Sequence, residues 1–117
     1  MRTKFPWGTR YEDGREVCNL LTKAGRDEYA RRKRVMWLRQ GKRCCLEGWA
    51  KDCPGALKWA EALFEHQDGR GMDGGKRDDR IEKPNRKTGK MEPYNGVAHA
   101  WCNGKKGSVR INYHEAP

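Results

Sequence analysis

The sequence predicts a small α+β fold, and three features carry this prediction. The stretch from Asp27 to Gly41 has the charged and apolar residues, the capping residue and the terminating glycine that are typical of a helix. Three of the five cysteines lie together in a turn-like segment. A short apolar run near Val97 predicts a strand, and a second helix is expected from about Trp101.

The chain is long enough for one domain. Its 117 residues give little room for two hydrophobic cores. We expect 1–43 to form an N-terminal arm and a basic helix, and 44–117 to form the core of the same compact domain. Hydrophobic residues make up 35% and charged residues 36%, so the core is thin and an extra stabilising element such as a bound metal is favoured.

The N-terminal half is expected to be irregular before it becomes helical. Residues 1–24 are interpreted as an irregular arm, with a short helix around Val17–Lys23. Asp27 is then predicted to cap a helix from about Glu28 to Gln40. The buried side of this helix is expected to carry five residues: Tyr29, Val35, Met36, Trp37 and Leu38.

The C-terminal half carries weaker signals. Residues 56–66 could begin as a helical turn and finish as a strand, since periodicity cannot decide so short a run. Residues 68–93 are rich in Gly, Lys, Arg and Asp and are predicted to form a long polar loop.

The charge of the chain indicates an anionic partner. Twenty-six Lys and Arg against sixteen Asp and Glu give a formal net charge of +10. Nucleic acid is the first candidate, because neutralising phosphates releases counterions. The N-terminus has no apolar signal region, and no stretch approaches the length of a membrane span. An odd number of cysteines without a secretion signal fits reduced thiols in the cytoplasm.

One pair of adjacent residues suggests hydrolytic chemistry. Cutting a phosphodiester needs a nucleophile made from water and a cation that stabilises the developing charge. Histidine can accept the proton from water, and carboxylate and amide oxygens suit Mg²⁺ or Mn²⁺. Glu65 and His66 offer a ligand and a base side by side, and an Asn near the start of a later helix could complete the metal site.

The order of these residues resembles the HNH endonuclease family. Glu65-His66 is followed by a Gly-rich loop, then Asn95, then a motif in which His99, Cys102 and Asn103 precede Lys-Lys-Gly. The chain looks most like short stand-alone HNH proteins of bacteriophages. The matching region runs from about residue 44 to 110, a little over half of the chain.

The resemblance implies a ββα-metal core, in which two strands and a helix surround one catalytic cation. It implies that Glu65 and Asn103 bind Mg²⁺ or Mn²⁺, that His66 is the general base, and that Asn95 holds the loop through backbone hydrogen bonds. The family more often has Asp where this chain has Glu65, so the longer side chain would change how the cation is held.

The resemblance also implies a structural zinc site built as a knuckle. Its expected ligands are Cys44, Cys53, His99 and Cys102, and Cys45 is the alternative to Cys44. His99 could instead be a second catalytic histidine. Zinc held by three Cys and one His would supply folding free energy that the thin core lacks.

Basic residues around the motif are expected to contact the phosphate backbone rather than to read bases. They are Arg70, Lys76, Arg77, Arg80, Lys105, Lys106 and Arg110. Asp78 and Asp79 are expected to brace the arginines of their loop.

The expected function is therefore metal-dependent hydrolysis of DNA, with nicking of one strand by a monomer and double-strand cutting only by a homodimer or in two events. Two alternatives remain open. One is a zinc-ribbon module that binds nucleic acid without catalysis. The other is an accessory factor of a phage DNA-packaging (terminase) assembly or of other DNA-processing proteins, active only with its partners.

Overall fold

The computed structural model describes residues 2–69, 75–106, 113 and 114. Over these residues the chain has two α-helices and three small antiparallel sheets, so the predicted α+β class is confirmed. No helix in the described part is long and apolar enough to cross a membrane.

The N-terminal residues form a three-stranded sheet, where we predicted an irregular arm and a short helix. Its strands are β1 (Thr3–Phe5), β2 (Gly8–Arg10) and β3 (Glu16–Cys18), in the order β1-β2-β3. Each strand has only three residues, too few to show the alternation of polar and apolar residues that marks a strand. Stacking of Phe5 on Trp7, with ring centroids 4.9 Å apart, stabilises the first turn.

Helix α1 spans Lys23–Arg39, and its N-cap is Thr22. The Thr22 hydroxyl accepts a hydrogen bond from the Gly25 amide at 3.0 Å. The predicted start near Glu28 is therefore wrong: Asp27 lies inside the helix and pairs with Lys23 at 2.7 Å. The helix ends close to the predicted position, where Gly41 has a φ of 68°.

The buried face of α1 is narrower than predicted. Met36 and Trp37 are buried, and Tyr29 packs beside them. Val35 and Leu38 lie on the exposed side, which corrects their assignment. The main core thus joins α1 to the later strands through six buried residues: Met36, Trp37, Leu57, Ala62, Phe64 and Val97.

A helical turn followed by a strand occupies the ambiguous segment 56–66. The 3₁₀ turn spans Trp59–Glu61, and β4 spans Leu63–Glu65. The segment changes conformation because Phe64 turns inward to stack on Tyr29, with ring centroids 4.6 Å apart.

A β-hairpin interrupts the predicted polar loop 68–93. Strands β5 (Glu82–Pro84) and β6 (Met91–Pro93) pair antiparallel, with Lys83 opposite Glu92. Prolines end both strands, where the missing amide is not needed for pairing. The loop prediction was wrong here because local turn chemistry, rather than apolar periodicity, builds this hairpin.

Strand β7 (Gly96–Ala98) and helix α2 (Ala100–Lys106) complete the described fold. The predictions of a strand near Val97 and a helix from about Trp101 are confirmed. β7 pairs antiparallel with β4, with Phe64 opposite Val97 and Glu65 opposite Gly96. The β4–β7 pair followed by α2 places the end of β4 beside the second helix.

Replacing Met36 by alanine is expected to destabilise the protein by about 2–5 kcal/mol, because a fully buried side chain leaves a cavity. Leu38→Ala on the same helix is the matched control, since Leu38 is 53% exposed, and it should cost less than about 0.5 kcal/mol. Urea unfolding of the zinc-loaded proteins measures both. Equal costs would contradict the packing of α1 described above.

Candidate metal centre and adjoining polar site

Four of the predicted zinc ligands lie together in space. The Sγ atoms of Cys44, Cys53 and Cys102 and a ring nitrogen of His99 all lie within 4.8 Å of one another. Tetrahedral zinc with ordinary bond lengths places its ligand atoms about 3.6–3.8 Å apart. His99 Nδ1 lies 3.8 Å from Cys53 Sγ and 3.9 Å from Cys102 Sγ. This Cys₃His cluster could therefore bind a structural metal such as zinc.

The backbone around the cluster orients each ligand. Cys44 and Cys53 lie in the turn between α1 and the 3₁₀ turn, and the Leu46 amide donates to Cys44 Sγ at 3.4 Å. His99 directly precedes α2, so Cys102 follows one turn later on the same side. All five cysteines of the chain are free thiols.

His99 is held in the tautomer that suits metal binding. Its Nε2 lies 2.9 Å from the carbonyl oxygen of Ala56, an acceptor, so Nε2 carries the proton. Nδ1 is then the nitrogen with the lone pair, and it faces the cysteines. An outer hydrogen bond of this kind fixes the orientation of a metal-binding imidazole.

Cys45 lies outside the cluster although it neighbours Cys44. Its amide donates to the carbonyl of Val97 at 3.0 Å, which ties the turn to β7. A Cβ atom at Gly96 would meet Cys45 Sγ at 3.0 Å, so the thiol packs directly against β7. The geometry therefore places Cys44, rather than Cys45, with the other three ligands.

The carboxylate of Glu65, at the end of β4, is almost completely buried. Its Oε1 lies 2.8 Å from Lys106 Nζ, and both side chains are 1% exposed. Burial raises the pKa of Glu65, and Lys106 offsets part of this effect. Its Oε2 is buried and accepts no hydrogen bond within the described residues. A buried carboxylate oxygen without a donor is suited to bind a cation.

His66 forms a buried hydrogen bond with Asp79. Nε2 of the ring lies 2.7 Å from Asp79 Oδ1. Burial acts to raise the pKa of Asp79, but hydrogen bonds from His66 and Arg77 hold it below its usual value. An ionised Asp79 can only accept, so Nε2 of His66 carries a proton, and in the neutral imidazole Nδ1 then has the lone pair.

Asp79 is fixed from several directions. Arg77 binds it through two hydrogen bonds, at 3.0 Å to Oδ1 and 2.7 Å to Oδ2. The Cys18 amide donates to Oδ2 at 2.8 Å, and the Asp79 amide donates to the carbonyl of Glu16 at 2.7 Å. Strand β3 of the N-terminal sheet thus positions the carboxylate that holds His66.

Asn95 ties together the two loops around His66. Its Oδ1 accepts from the Gln67 amide at 2.9 Å. Its Nδ2 donates to the carbonyls of Asp78 at 2.6 Å and Arg80 at 2.8 Å. Asn95 is fully buried and has a φ of 52°, a conformation that Asn tolerates better than most residues.

Asn103 and Lys106 lie three residues apart on α2 and therefore share one helix face. Lys106 reaches Glu65, and its Nζ also donates to the carbonyl of His66 at 3.2 Å. This places that face of α2 against the end of β4. Asn103 is half-buried one turn earlier on the same face.

The basic residues predicted to contact DNA differ in exposure. Lys76 and Lys105 are exposed. Arg77 and Arg80 pair with Asp79 and Asp78, as the expected bracing role of these aspartates implies. Lys106 is buried in its ion pair with Glu65, so it does not belong to an exposed basic strip. Arg70 and Arg110 lie outside the described residues.

Sequence reasoning missed the roles of Asp79 and Lys106 at this site. Asp79 lies thirteen residues after His66, and Lys106 lies forty-one residues after Glu65. No spacing rule links such pairs, because they meet only when β3 holds the Asp79 carboxylate and α2 packs against β4.

Comparison of the chain with protein-family models, curated proteins and solved structures found no match. The resemblance to HNH endonucleases therefore depends on the residues and spacing described above.

Proposed function

We propose that the chain is a metal-dependent DNA endonuclease of the HNH type, which hydrolyses a phosphodiester bond. One observation carries the proposal. Glu65, with a buried oxygen that accepts no hydrogen bond within the described ranges, directly precedes a histidine oriented by a carboxylate. Asn103 lies on the face of α2 that also carries Lys106, whose Nζ lies 2.8 Å from Glu65 Oε1, and this supports Asn103 as the second ligand.

Each residue has a distinct chemical role in this proposal. His66 accepts a proton from water at Nδ1, because Nε2 is held by Asp79. The water oxygen attacks phosphorus, the bond from phosphorus to the 3′ oxygen breaks, and the 3′ oxygen takes up a proton. Glu65 and Asn103 would hold Mg²⁺ or Mn²⁺, which stabilises charge on the phosphate and the leaving oxygen.

Lys106 fixes the carboxylate that takes part in this chemistry. It holds Oε1 of Glu65, so Oε2 is the oxygen available to a cation. It also holds the carbonyl of His66, which keeps the ligand and the base in a constant relation.

The same ion pair favours a second candidate, a zinc-ribbon module that binds nucleic acid without catalysis. Lys106 already balances the charge of Glu65, and His66 is 7% exposed. In that case the Glu65–Lys106 and His66–Asp79 pairs would only stabilise the fold. The two candidates differ in whether Glu65 is needed for nicking.

Nicking of supercoiled plasmid by the zinc-loaded protein tests the proposal. We expect open-circular product with Mg²⁺ or Mn²⁺ and none without added metal. Glu65→Gln should slow nicking about a hundredfold or more, because a lost carboxylate ligand removes several kcal/mol of transition-state stabilisation.

Two further variants make that result specific. Glu65→Asp keeps the carboxylate and should retain more activity than Glu65→Gln. Glu47→Gln is the matched control, since Glu47 is exposed and pairs with Arg43, and it should nick like the wild type. Full nicking by Glu65→Gln, or no nicking by the wild type with either metal, would overturn the proposal.

A further inference from the structure

The β5–β6 hairpin ends in a rigid, hydrogen-bonded tip. In the connecting residues 85–90, Asn85 Oδ1 accepts from the amides of Lys87 at 2.8 Å and Thr88 at 3.1 Å. The Asn85 carbonyl accepts from the Gly89 amide, and the Asn85 amide donates to the carbonyl of Lys90, both at 2.8 Å. These bonds preorganise the tip before any partner binds.

This hairpin contributes little to the core. All three residues of β6 are exposed, and Met91 is 59% exposed. The Tyr94 amide closes the base of the hairpin by donating to the carbonyl of Ile81 at 2.9 Å, and Arg39 Nη1 of α1 donates to the same carbonyl at 3.2 Å. An ordered segment that buries so little apolar surface is better explained by an interaction than by folding stability.

The tip is strongly basic. Arg86, Lys87 and Lys90 are exposed, and residues 85–90 contain no acidic residue. In the described ranges none of these three side chains forms an ion pair. We call these three residues the basic tip.

The base of the hairpin is fastened beside His66. Lys83 Nζ lies 3.4 Å from Asp68 Oδ2 and 4.1 Å from the centre of the Tyr94 ring. The Tyr94 hydroxyl donates to the same Asp68 oxygen at 2.7 Å. Asp68 follows His66 by two residues, and Tyr94 directly precedes Asn95, so the hairpin and the candidate site share one support.

A charged groove of about 390 Å³ runs from the hairpin to the N-terminal turn. Three of its cations pair with aspartates: Arg15 with Asp13, Arg80 with Asp78, and Lys83 with Asp68. Lys76 and Arg86 also line it and form no ion pair within the described residues, so the groove has an excess of positive charge.

We propose that the β5–β6 hairpin binds duplex DNA, with the basic tip in the major groove and the charged groove beside it on the phosphate backbone. The major groove is about 12 Å wide and admits a two-stranded β-ribbon. The identity of the partner rests on the proposed function. The hairpin would hold the duplex while the residues beside its base act on one strand.

Binding of a labelled 25-base-pair duplex, measured by fluorescence anisotropy without Mg²⁺ or Mn²⁺, tests this inference. The variant R86A/K87A/K90A should bind about 10–100-fold more weakly. The slope of log K against log salt should become shallower by about 2–3, because the three cations lie between the phosphates that flank the major groove and each phosphate they neutralise contributes about 0.9. The matched control K23A/K51A/K58A removes three exposed lysines from other elements and should change Kd less than threefold.

Each outcome bears on the inference separately from the nuclease proposal. Wild-type affinity in the tip variant, or equal weakening in the control, would overturn it. Equal loss of affinity for duplex RNA would overturn insertion into the major groove, because that groove is too deep and narrow in RNA. A wild type that binds through the tip and never nicks would refute the nuclease and support the hairpin inference.

Discussion

Replacing Cys44 by serine is expected to prevent zinc binding and to unfold the protein. The Cys45→Ser variant, in contrast, should bind zinc and stay folded. Cys44 Sγ belongs to the Cys₃His cluster, and Cys45 Sγ packs against Gly96 outside it. Structural zinc supplies roughly 10–16 kcal/mol of apparent binding free energy in small domains. A domain of this size is stable by only about 5–15 kcal/mol, so the loss of zinc binding removes a free energy comparable to its whole stability.

The cluster explains why the effect should be so large. Cys44, Ala98 and Cys102 form a second core together with Leu46 and Tyr113, and the ligands are part of that core. Without a metal, burial raises the pKa of Cys102 to about 12, so its thiol would stay neutral inside that core, where Cys44 is also buried. A metal bound by this cluster would therefore link the turn after α1 to the start of α2.

Zinc content by atomic absorption and far-UV circular dichroism measure this prediction. We expect one zinc per chain in the wild type and in Cys45→Ser, and less than about one tenth of that in Cys44→Ser. The free energy of unfolding of the Cys45→Ser variant should be lower by about 1 kcal/mol, which is the cost of burying a hydroxyl. A folded Cys44→Ser protein with full zinc content would show that Cys44 is not a ligand.

Part of the fold could be predicted because its signals are local. Gly41 marks the end of α1 through its left-handed conformation, and the apolar residues around Val97 mark β7. The start of α1 was misplaced because Thr22 and Asp27 are both good capping residues, and only the backbone hydrogen bond to Thr22 distinguishes them.

Other elements depend on contacts between distant residues. The N-terminal sheet has strands of three residues, and it is stabilised by Arg32, which pairs with Glu16 at 2.9 Å and lies over Trp7. The hairpin β5–β6 depends on the turn geometry of Asn85 rather than on an apolar pattern. Neither signal is visible as periodicity, so both elements were predicted as irregular chain.

The residue types of the candidate site could be predicted, but the contacts between those residues could not. The sequence pattern brought Cys53, His99 and Cys102 into one proposed cluster, which the geometry also assembles. The choice between Cys44 and Cys45 required the direction of each side chain. The pairing of His66 with Asp79 required the N-terminal sheet, which sequence reasoning did not find.

Replacing His66 by alanine is expected to slow DNA nicking by about 10²–10⁴-fold, the usual contribution of a general base. Zinc content and duplex affinity should remain close to wild type, because His66 contacts neither the Cys₃His cluster nor the basic tip in the described structure. His114→Ala is the matched control. His114 is an exposed histidine near the site, and its Nε2 lies 2.9 Å from the carbonyl oxygen of Asn95, yet it has no proposed chemical role.

Single-turnover nicking at saturating protein measures this effect apart from binding. A slow His66→Ala variant beside an active His114→Ala variant would support His66 as the base, since general loss of packing around Asn95 would slow both. Equal rates for His66→Ala and wild type would refute the assignment. The zinc-ribbon alternative predicts unchanged DNA affinity and no nicking in any of the three proteins, so the wild-type rate separates it from catalysis.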